Sequence, residues 1–463
     1  MPIYKTIFRK EYLFLHLILS LFFLTNLALS LIGKNVWWDA AAYTGMGKYI
    51  FSLGNAGLWE PSRPLVWPII LGFILKLNLN VVLFGKLISL LFSLGILLLT
   101  YIIGKEIFGK RTALLSVFLL ALTPTFFFFS KIMLSEIIST FFVLLAVYLF
   151  IRKNYLFSGL FFGMAFMTRF LQLIPFLTAI IIFLIYNKKD KKFIQNLLKI
   201  IAGFLIPVLP YLFLNYFLYS NPLLPFFEQL FLTKNTGWMW LEPWWFYFQE
   251  LFRENFLYIF AFFGIYFLCR NKPNQEKSMI FFLFLMPLLF FILIPHKEMR
   301  FLIALLPFMY MIASYGILRF FESKALSYLL IILFAVNSSI LIYSNEKMET
   351  GKNTNFLVFQ EYIKNENIGS IWISSPVYAV YSNKKTDTLI YYPTFNKEKI
   401  DFLNSNLPNA DAILLDTCDI PCHPDDLECR QEKENFLNNI KSQFKIRYNN
   451  EYGDCEQLIF SGN

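Results

Sequence analysis

Asp39 follows two tryptophans, Trp37 and Trp38, and is the only acid between Glu11 and Glu60. It stands just past a long apolar run, where a carboxylate is costly unless it has a partner or a task. At a bilayer centre an Asp costs about 2.5–3.5 kcal/mol, and less toward the interface. Tyr43 stands one helical turn on, and Arg63-Pro64 closes the same segment. A second acid, Glu136, with Lys131 ahead of it, precedes another apolar run. Arg169 interrupts Met167-Thr168-Arg169-Phe170, and His296-Lys297-Glu298-Met299-Arg300-Phe301 separates two further runs. An acid facing a cavity suits general-base activation of an acceptor hydroxyl. Cations beside it suit a phosphate headgroup, arginine through two parallel hydrogen bonds. A lipid-phosphate-linked sugar satisfies both, with its phosphate on the cations and its tail in the bilayer. Asp39 and Glu136 also suit oxygen ligation of a divalent metal such as Mg or Mn.

The elements that must position these residues are apolar helices. The chain has 463 residues, 57% hydrophobic and 19% aromatic, with mean hydropathy +0.54. A soluble domain averages about 45–50% apolar, so the composition indicates a polytopic α-helical membrane protein. About eleven spans are expected, at 12–32, 83–103, 112–129, 134–151, 155–168, 171–186, 197–219, 254–269, 279–294, 299–318 and 325–343. The N-terminus imitates a signal peptide, but no small-residue cleavage site follows it, so it reads as a retained helix. The net charge of +10 does not indicate nucleic acid, because the basic residues sit in short clusters between apolar runs. That is the pattern of cytoplasmic loops.

With a cytoplasmic N-terminus, those clusters all fall inside: Lys5, Arg9 and Lys10; Lys105, Lys110 and Arg111; Arg152 and Lys153; Lys188 to Lys192; Arg270, Lys272 and Lys277; Arg319 and Lys324. Lys34 and Lys48 are lone exceptions in the first outer loop, 33–82. Residues 64–80 are then an interfacial helix, since counting them as a span inverts every later loop. Residues 40–53 form a second surface helix, with Asp39, Tyr43 and Gly47 on one face. The candidate site residues collect on the extracytoplasmic side. Trp238, Trp240, Trp244 and Trp245 of loop 220–253 suit the headgroup level.

The membrane domain is read as residues 1–344, and residues 345–463 as a small extracytoplasmic α/β domain. Strands are expected at Ser370–Ile373, Thr388–Tyr392 and Ala412–Leu415, and helices at Phe356–Lys364 and Glu432–Lys445. Cys418, Cys422, Cys429 and Cys455 suggest disulfides in an oxidising compartment, with the pairing open. A zinc site using His423 is the alternative.

These residues carry a resemblance. The chain resembles membrane glycosyltransferases of the GT-C class, closest to the dolichyl-phosphate-mannose protein mannosyltransferase family (glycosyltransferase family 39) and the polyprenyl-phosphate aminoarabinose transferases. It rests on Asp39 and Tyr43 opening the first outer loop, on Gly45, Gly47, Gly54, Gly57, Arg63 and Pro64 closing it, and on Glu136 ahead of an apolar run. Relatives often have Asp-Glu where this chain has Asp39-Ala40, and Asp in place of Glu136. The His296–Phe301 string is also similar to one in the lipid-linked-oligosaccharide and GPI mannosyltransferases, a neighbouring GT-C family. The resemblance implies inverting transfer of a sugar, such as mannose, from a polyprenyl- or dolichyl-phosphate donor to a protein, lipid or glycan acceptor. It makes Asp39 the base and Glu136 an assisting acid or metal ligand. Tyr43, Arg63, Lys131, Arg169, His296, Lys297, Glu298 and Arg300 then contact substrates.

Plainer roles stand beside these. Asp39 suits a helix N-cap, Glu136 suits an ion pair with Lys131, and Arg63 and Lys131 suit snorkelling to headgroups. A lipid-linked-sugar flippase is the rival function. It needs polar groups at mid-membrane depth, where the sequence places almost none.

Overall fold

The structure, a computed structural model, describes residues 10–33, 36–270, 273–321, 324–350, 359, 361–362, 369–390 and 397–462. Its helices in chain order are α1 (Lys10–Ile32), α2 (Trp38–Phe51), α3 (Val66–Lys76), α4 (Val81–Phe108), α5 (Lys110–Ala121), α6 (Pro124–Phe129), α7 (Ser135–Ile151), α8 (Tyr155–Phe166), α9 (Leu173–Asn187), α10 (Phe193–Tyr219), α11 (Leu224–Thr236), α12 (Phe246–Glu254), α13 (Phe260–Arg270), α14 (Gln275–Leu293), α15 (Leu306–Phe320), α16 (Lys324–Thr350), α17 (Val377–Tyr381), α18 (Lys397–Asn406) and α19 (Leu427–Gln443). Five strands, β1 (Ser370–Ile373), β2 (Lys385–Leu389), β3 (Ala412–Asp416), β4 (Lys445–Tyr452) and β5 (Cys455–Ser461), lie toward the C-terminus. Lys5, Arg9, Lys34, Lys272, Tyr391 and Tyr392, and most of the helix expected at Phe356–Lys364, lie outside the described residues.

Two compact units divide the chain. One comprises residues 1–34, 85–223 and 242–351, and the other residues 35–84, 224–241 and 352–463.

The first unit is the helical bundle. Among the described residues of the chain, six helices are long and apolar enough to cross a membrane; of four shorter apolar helices, three belong to this unit and α3 to the second. Exposed Ile194, Phe213 and Phe217 on α10 are the apolar exterior that a lipid environment demands. α8 and α10 touch backbone to backbone at Gly159 and Gly203, where any Cβ would strike the facing main chain. This is the small-residue packing that lets membrane helices associate closely. The expected span 112–129 is two helices instead of one. Pro124 lacks an N–H and pushes Thr123 to an extended backbone (φ −70°, ψ 121°), so α5 stops and α6 begins. The span expected at 299–318 likewise starts with a 3-10 turn, Met299–Ala304, before α15 begins next to Pro307.

The second unit joins residues 35–84, which follow α1, to the C-terminal region. Its sheet has the order β2-β1-β3-β5-β4. β1 runs parallel to β2 and β3, and β5 runs antiparallel to β3 and β4. Trp372, Ile413, Leu415, Phe436, Ile440, Leu458 and Phe460 fill its core. The hairpin β4–β5 was not among the expected strands. α19 also begins earlier than expected, because the Asp426 carboxylate caps it by accepting from Cys429 N. Cys418 is bonded to Cys455 and Cys422 to Cys429, so the zinc alternative with His423 falls away: disulfide sulfurs are not thiolate ligands. The group Asp416, Cys418 and Cys455, close enough to ligate a metal, is ruled out for the same reason.

Within this unit α2 packs against α3, where Gly47 leaves no room for a Cβ beside Gly72, and against α17. Gly57 pairs with the free edge of β2, donating to Lys384 O at 3.0 Å and accepting from Thr386 N at 2.8 Å.

Candidate functional site

Two clusters hold the candidate residues, one in each unit. In the second unit the organising group is the Arg63 guanidinium. Nη2 lies 2.8 Å from Asp39 Oδ1 and Nε lies 2.6 Å from Glu60 Oε2. The guanidinium also lies over the Tyr43 ring, 5.0 Å from its centroid. Local sequence explains the arrangement. Glu60-Pro61-Ser62-Arg63 is a turn with proline in its second position, closed by Arg63 N on Glu60 O. That turn returns Arg63 toward the start of α2, one turn of which separates Asp39 from Tyr43. Burial alone would lower the Arg63 guanidinium, but the charges of Glu60 and Asp39 overcome this and hold it well above its ordinary value.

Asp39 does not serve as an N-cap. Trp37 occupies that position with no side-chain cap, and Asp39 lies inside the first turn of α2, where the helix dipole favours its charge. Its side chain keeps 22% exposure.

In the first unit the centre is Glu136, which is only 4% exposed. Arg169 Nη1 lies 2.7 Å from its Oε1, and Arg300 Nε lies 3.6 Å from the same oxygen. Arg300 Nη2 then reaches Glu298 Oε1 at 2.7 Å, and His296 Nε2 meets that oxygen at 2.7 Å. Both guanidiniums stack on the Phe301 ring, 5.1 and 5.7 Å from its centroid. Burial alone would raise the Glu298 carboxyl, but Arg300 and His296 hold it below its ordinary value. A narrow, largely apolar cleft opens beside the ion pairs, walled by Glu136 and Arg169 together with Leu171, Ile174, Pro287 and Phe291.

Two expected members go elsewhere. Lys131 forms an ion pair with Glu346 on α16, and its ammonium lies over the Phe127 and Phe128 rings. The pairing of Glu136 with Lys131 is therefore corrected. The helix breaks over residues 131–134, so the two side chains share no helical face. Lys297 donates to the backbone carbonyls of Glu242 and Ile294 at 2.9 and 2.7 Å, fixing the loop that carries its neighbours.

Sequence reasoning missed Glu60, Glu346 and Tyr247, whose hydroxyl accepts from Glu298 N at 3.3 Å. The turn signature around Pro61 was available for Glu60. Glu346 is 215 residues from its partner and carried no local mark.

A divalent metal does not fit either acid as arranged. Each carboxylate faces arginine, Asp39 through Arg63 and Glu136 through Arg169 and Arg300. A cation would have to displace or stand beside positive charge to bind there.

The model of the Alg9-like mannosyltransferase family matches residues 62–370. The chain belongs to that family. It is a membrane glycosyltransferase, and the family match takes in Arg63, Glu136, Arg169 and the whole His296–Phe301 string, while Asp39 precedes it. No curated protein matches the sequence. The fold is that of the GT-C class. ArnT from Cupriavidus metallidurans bound to undecaprenyl phosphate is similar at TM-score 0.67 with 10% identity, over 96% of this chain and 97% of that one. The oligosaccharyltransferase AglB from Archaeoglobus fulgidus, in complex with an inhibitory peptide and a dolichol-phosphate, is similar at TM-score 0.58 with 12% identity, over 88% and 69%. A second structure of the Archaeoglobus enzyme, similar at TM-score 0.51 with 11% identity over 85% and 67%, is a complex with Zn and sulfate.

Proposed function

We propose that this member of the Alg9-like family transfers mannose from a polyprenyl- or dolichyl-phosphate donor to a protein, lipid or glycan acceptor on the extracytoplasmic face, with inversion. The observation that carries the reading is the pair of arginines gathered on one buried carboxylate, Glu136, at the mouth of an apolar cleft. Two guanidiniums on a shared aromatic ring offer the planar donors that a phosphate accepts. The lipid phosphates bound by ArnT and AglB support the same donor class.

In this reading the acceptor oxygen attacks the anomeric carbon. The bond from that carbon to the phosphate oxygen breaks, and its electron pair leaves on the lipid phosphate. The hydroxyl proton passes to Asp39. Arg63 holds the Asp39 carboxylate in one orientation, and Glu60 holds Arg63. Glu136 assists as the acid that gathers Arg169 and Arg300. His296 and Glu298 order Arg300 in turn. No step runs through a metal.

The orientation follows from the basic clusters: a cytoplasmic N-terminus, with the acids and the disulfide-bonded domain outside.

The test is transfer of label from radiolabelled polyprenyl-phosphate-mannose in membranes carrying wild type or Asp39→Asn, with and without a chelator. The expected outcome is label transferred by wild type alone, unaffected by the chelator. Transfer by Asp39→Asn at the wild-type rate removes Asp39 as base. Lipid-linked sugar crossing the bilayer without any bond formed returns the flippase.

A further inference from the structure

Lys48 stood out in the sequence as a cation on the wrong side of the membrane. In the structure its ammonium is buried at the C-terminal end of α17. It donates to Ala379 O at 2.9 Å, Val380 O at 2.8 Å and Ser382 O at 2.6 Å. An ammonium has three N–H donors, and here three carbonyls take them. Those carbonyls belong to a helix end, where the backbone offers unsatisfied acceptors and partial negative charge. Lys48 and Asp39 are on the same helix, α2.

Two further contacts fasten the same loop to the same domain. Gly57, between α2 and Arg63, is hydrogen-bonded into the edge of β2. At Gly45 a Cβ would stand 2.7 Å from Leu58 Cγ and 3.3 Å from Ala379 Cβ, so α2 is pressed against both. The catalytic loop is thus gripped at its helix, by Lys48, and at its return strand, by Gly57.

We infer that the C-terminal domain acts as a clamp on the first outer loop, and that Lys48 is a positioning residue that sets the orientation of α2 and hence of Asp39. This rests on the reading of Asp39 as the base. The clamp explains why a transferase whose acids lie outside this α/β fold carries it: the domain supplies rigidity to a short, otherwise loop-borne helix. A misplacement of about 1 Å at a reacting group is enough to cost about a hundredfold in rate.

The test uses the full-length protein in membranes. Lys48→Met keeps the length of the side chain and removes the donors, Lys48→Arg restores donors to the same carbonyls, and Thr386→Pro removes the N–H that bonds Gly57 O and sets a ring against that carbonyl, loosening the second grip. Transfer kinetics are read beside amide exchange over Trp38–Phe51. Lys48→Met is expected to lower kcat by about tenfold or more with the donor KM within about twofold, a split that marks lost orientation without lost donor binding. Exchange over α2 should quicken, Lys48→Arg should recover part of kcat, and Thr386→Pro should show a smaller fall of the same kind. Unchanged kcat and exchange in Lys48→Met overturn the clamp. If Lys48→Met does not fold, Thr386→Pro decides, and wild-type kcat and exchange in that variant overturn the inference. Should Asp39→Asn retain transfer, the base reading falls by itself, and exchange over α2 still judges the clamp.

Discussion

Arg169 and Arg300 converge on a single oxygen, Glu136 Oε1, at 2.7 and 3.6 Å. The asymmetry has meaning: one guanidinium is engaged by Glu136, and the other divides itself between Glu136 and Glu298. A carboxylate buried to this degree is badly placed to take a proton from an incoming acceptor. It holds two like charges close together, which in the proposed reading is where the donor phosphate binds.

Glu136→Gln is therefore expected to act on donor binding. The amide still fills the space but no longer offsets the two positive charges, so their spacing relaxes. The donor KM should rise about tenfold while kcat stays within about threefold, the pattern of lost ground-state binding. Steady-state kinetics with labelled donor check this. A collapse of kcat at unchanged KM would instead make Glu136 a chemical base.

Arg63→Lys should be nearly as damaging as a neutral substitution, although the charge is kept. The guanidinium reaches Asp39 with Nη2 and Glu60 with Nε at once, a fork that a point charge does not reproduce. A fall in kcat of about ten- to a hundredfold is expected, with Glu60→Gln showing a smaller loss in the same assay.

The two disulfides should differ in weight. Cys418–Cys455 joins residues 37 apart and Cys422–Cys429 residues 7 apart. In the chain-entropy account they stabilise by about 4 and about 2 kcal/mol respectively. Paired Cys→Ala variants, melted in detergent, should show the larger drop for the Cys418–Cys455 pair. Wild type on a non-reducing gel should show no free thiols among these four.

Stability of the C-terminal sheet should carry a pH signature from Asp419. Burial pushes its carboxyl from 3.8 up to about 7, with Asp416 adding to the rise and the Ser374 hydroxyl opposing it. Between about pH 4 and 7 the folded state therefore holds more protons at this site than the unfolded chain. Stability falls as pH rises through that window and levels off above it. Asp419→Asn should remove this slope, so its melting temperature should gain on wild type from pH 4 to 7 and run parallel above.

How far the sequence could be read depended on range. Apolar runs located the bundle helices to within a few residues, because membrane burial acts on each helix independently of its neighbours. Asp39 and Arg63 were legible as members of one loop, but their ion pair was not, since the sequence reading gave Arg63 to a phosphate or to headgroups. Arg169, Arg300 and Glu298 were legible as intruders in apolar surroundings. Lys48 was visible only as an anomaly, since the carbonyls that explain it lie 331 to 334 residues away. Lys131 was assigned to the nearest acid, but folding gave it to Glu346 at the far end of the bundle sequence. The break at Pro124 was legible in principle and was overridden by the hydropathy of the Phe126–Phe129 run.

The union of residues 35–84 with residues 352–463 in one compact unit has a consequence for how the protein is made. The first outer loop leaves the ribosome early, and the helix end that receives Lys48 follows 331 residues later. At about 5–20 residues per second that is a wait of roughly 15–65 s. Throughout it the helix bearing Asp39 has its membrane anchors and lacks its clamp. The helix end that receives Lys48 is made long after α2 itself, so on the clamp reading α2 gains that contact only once α17 has been synthesised.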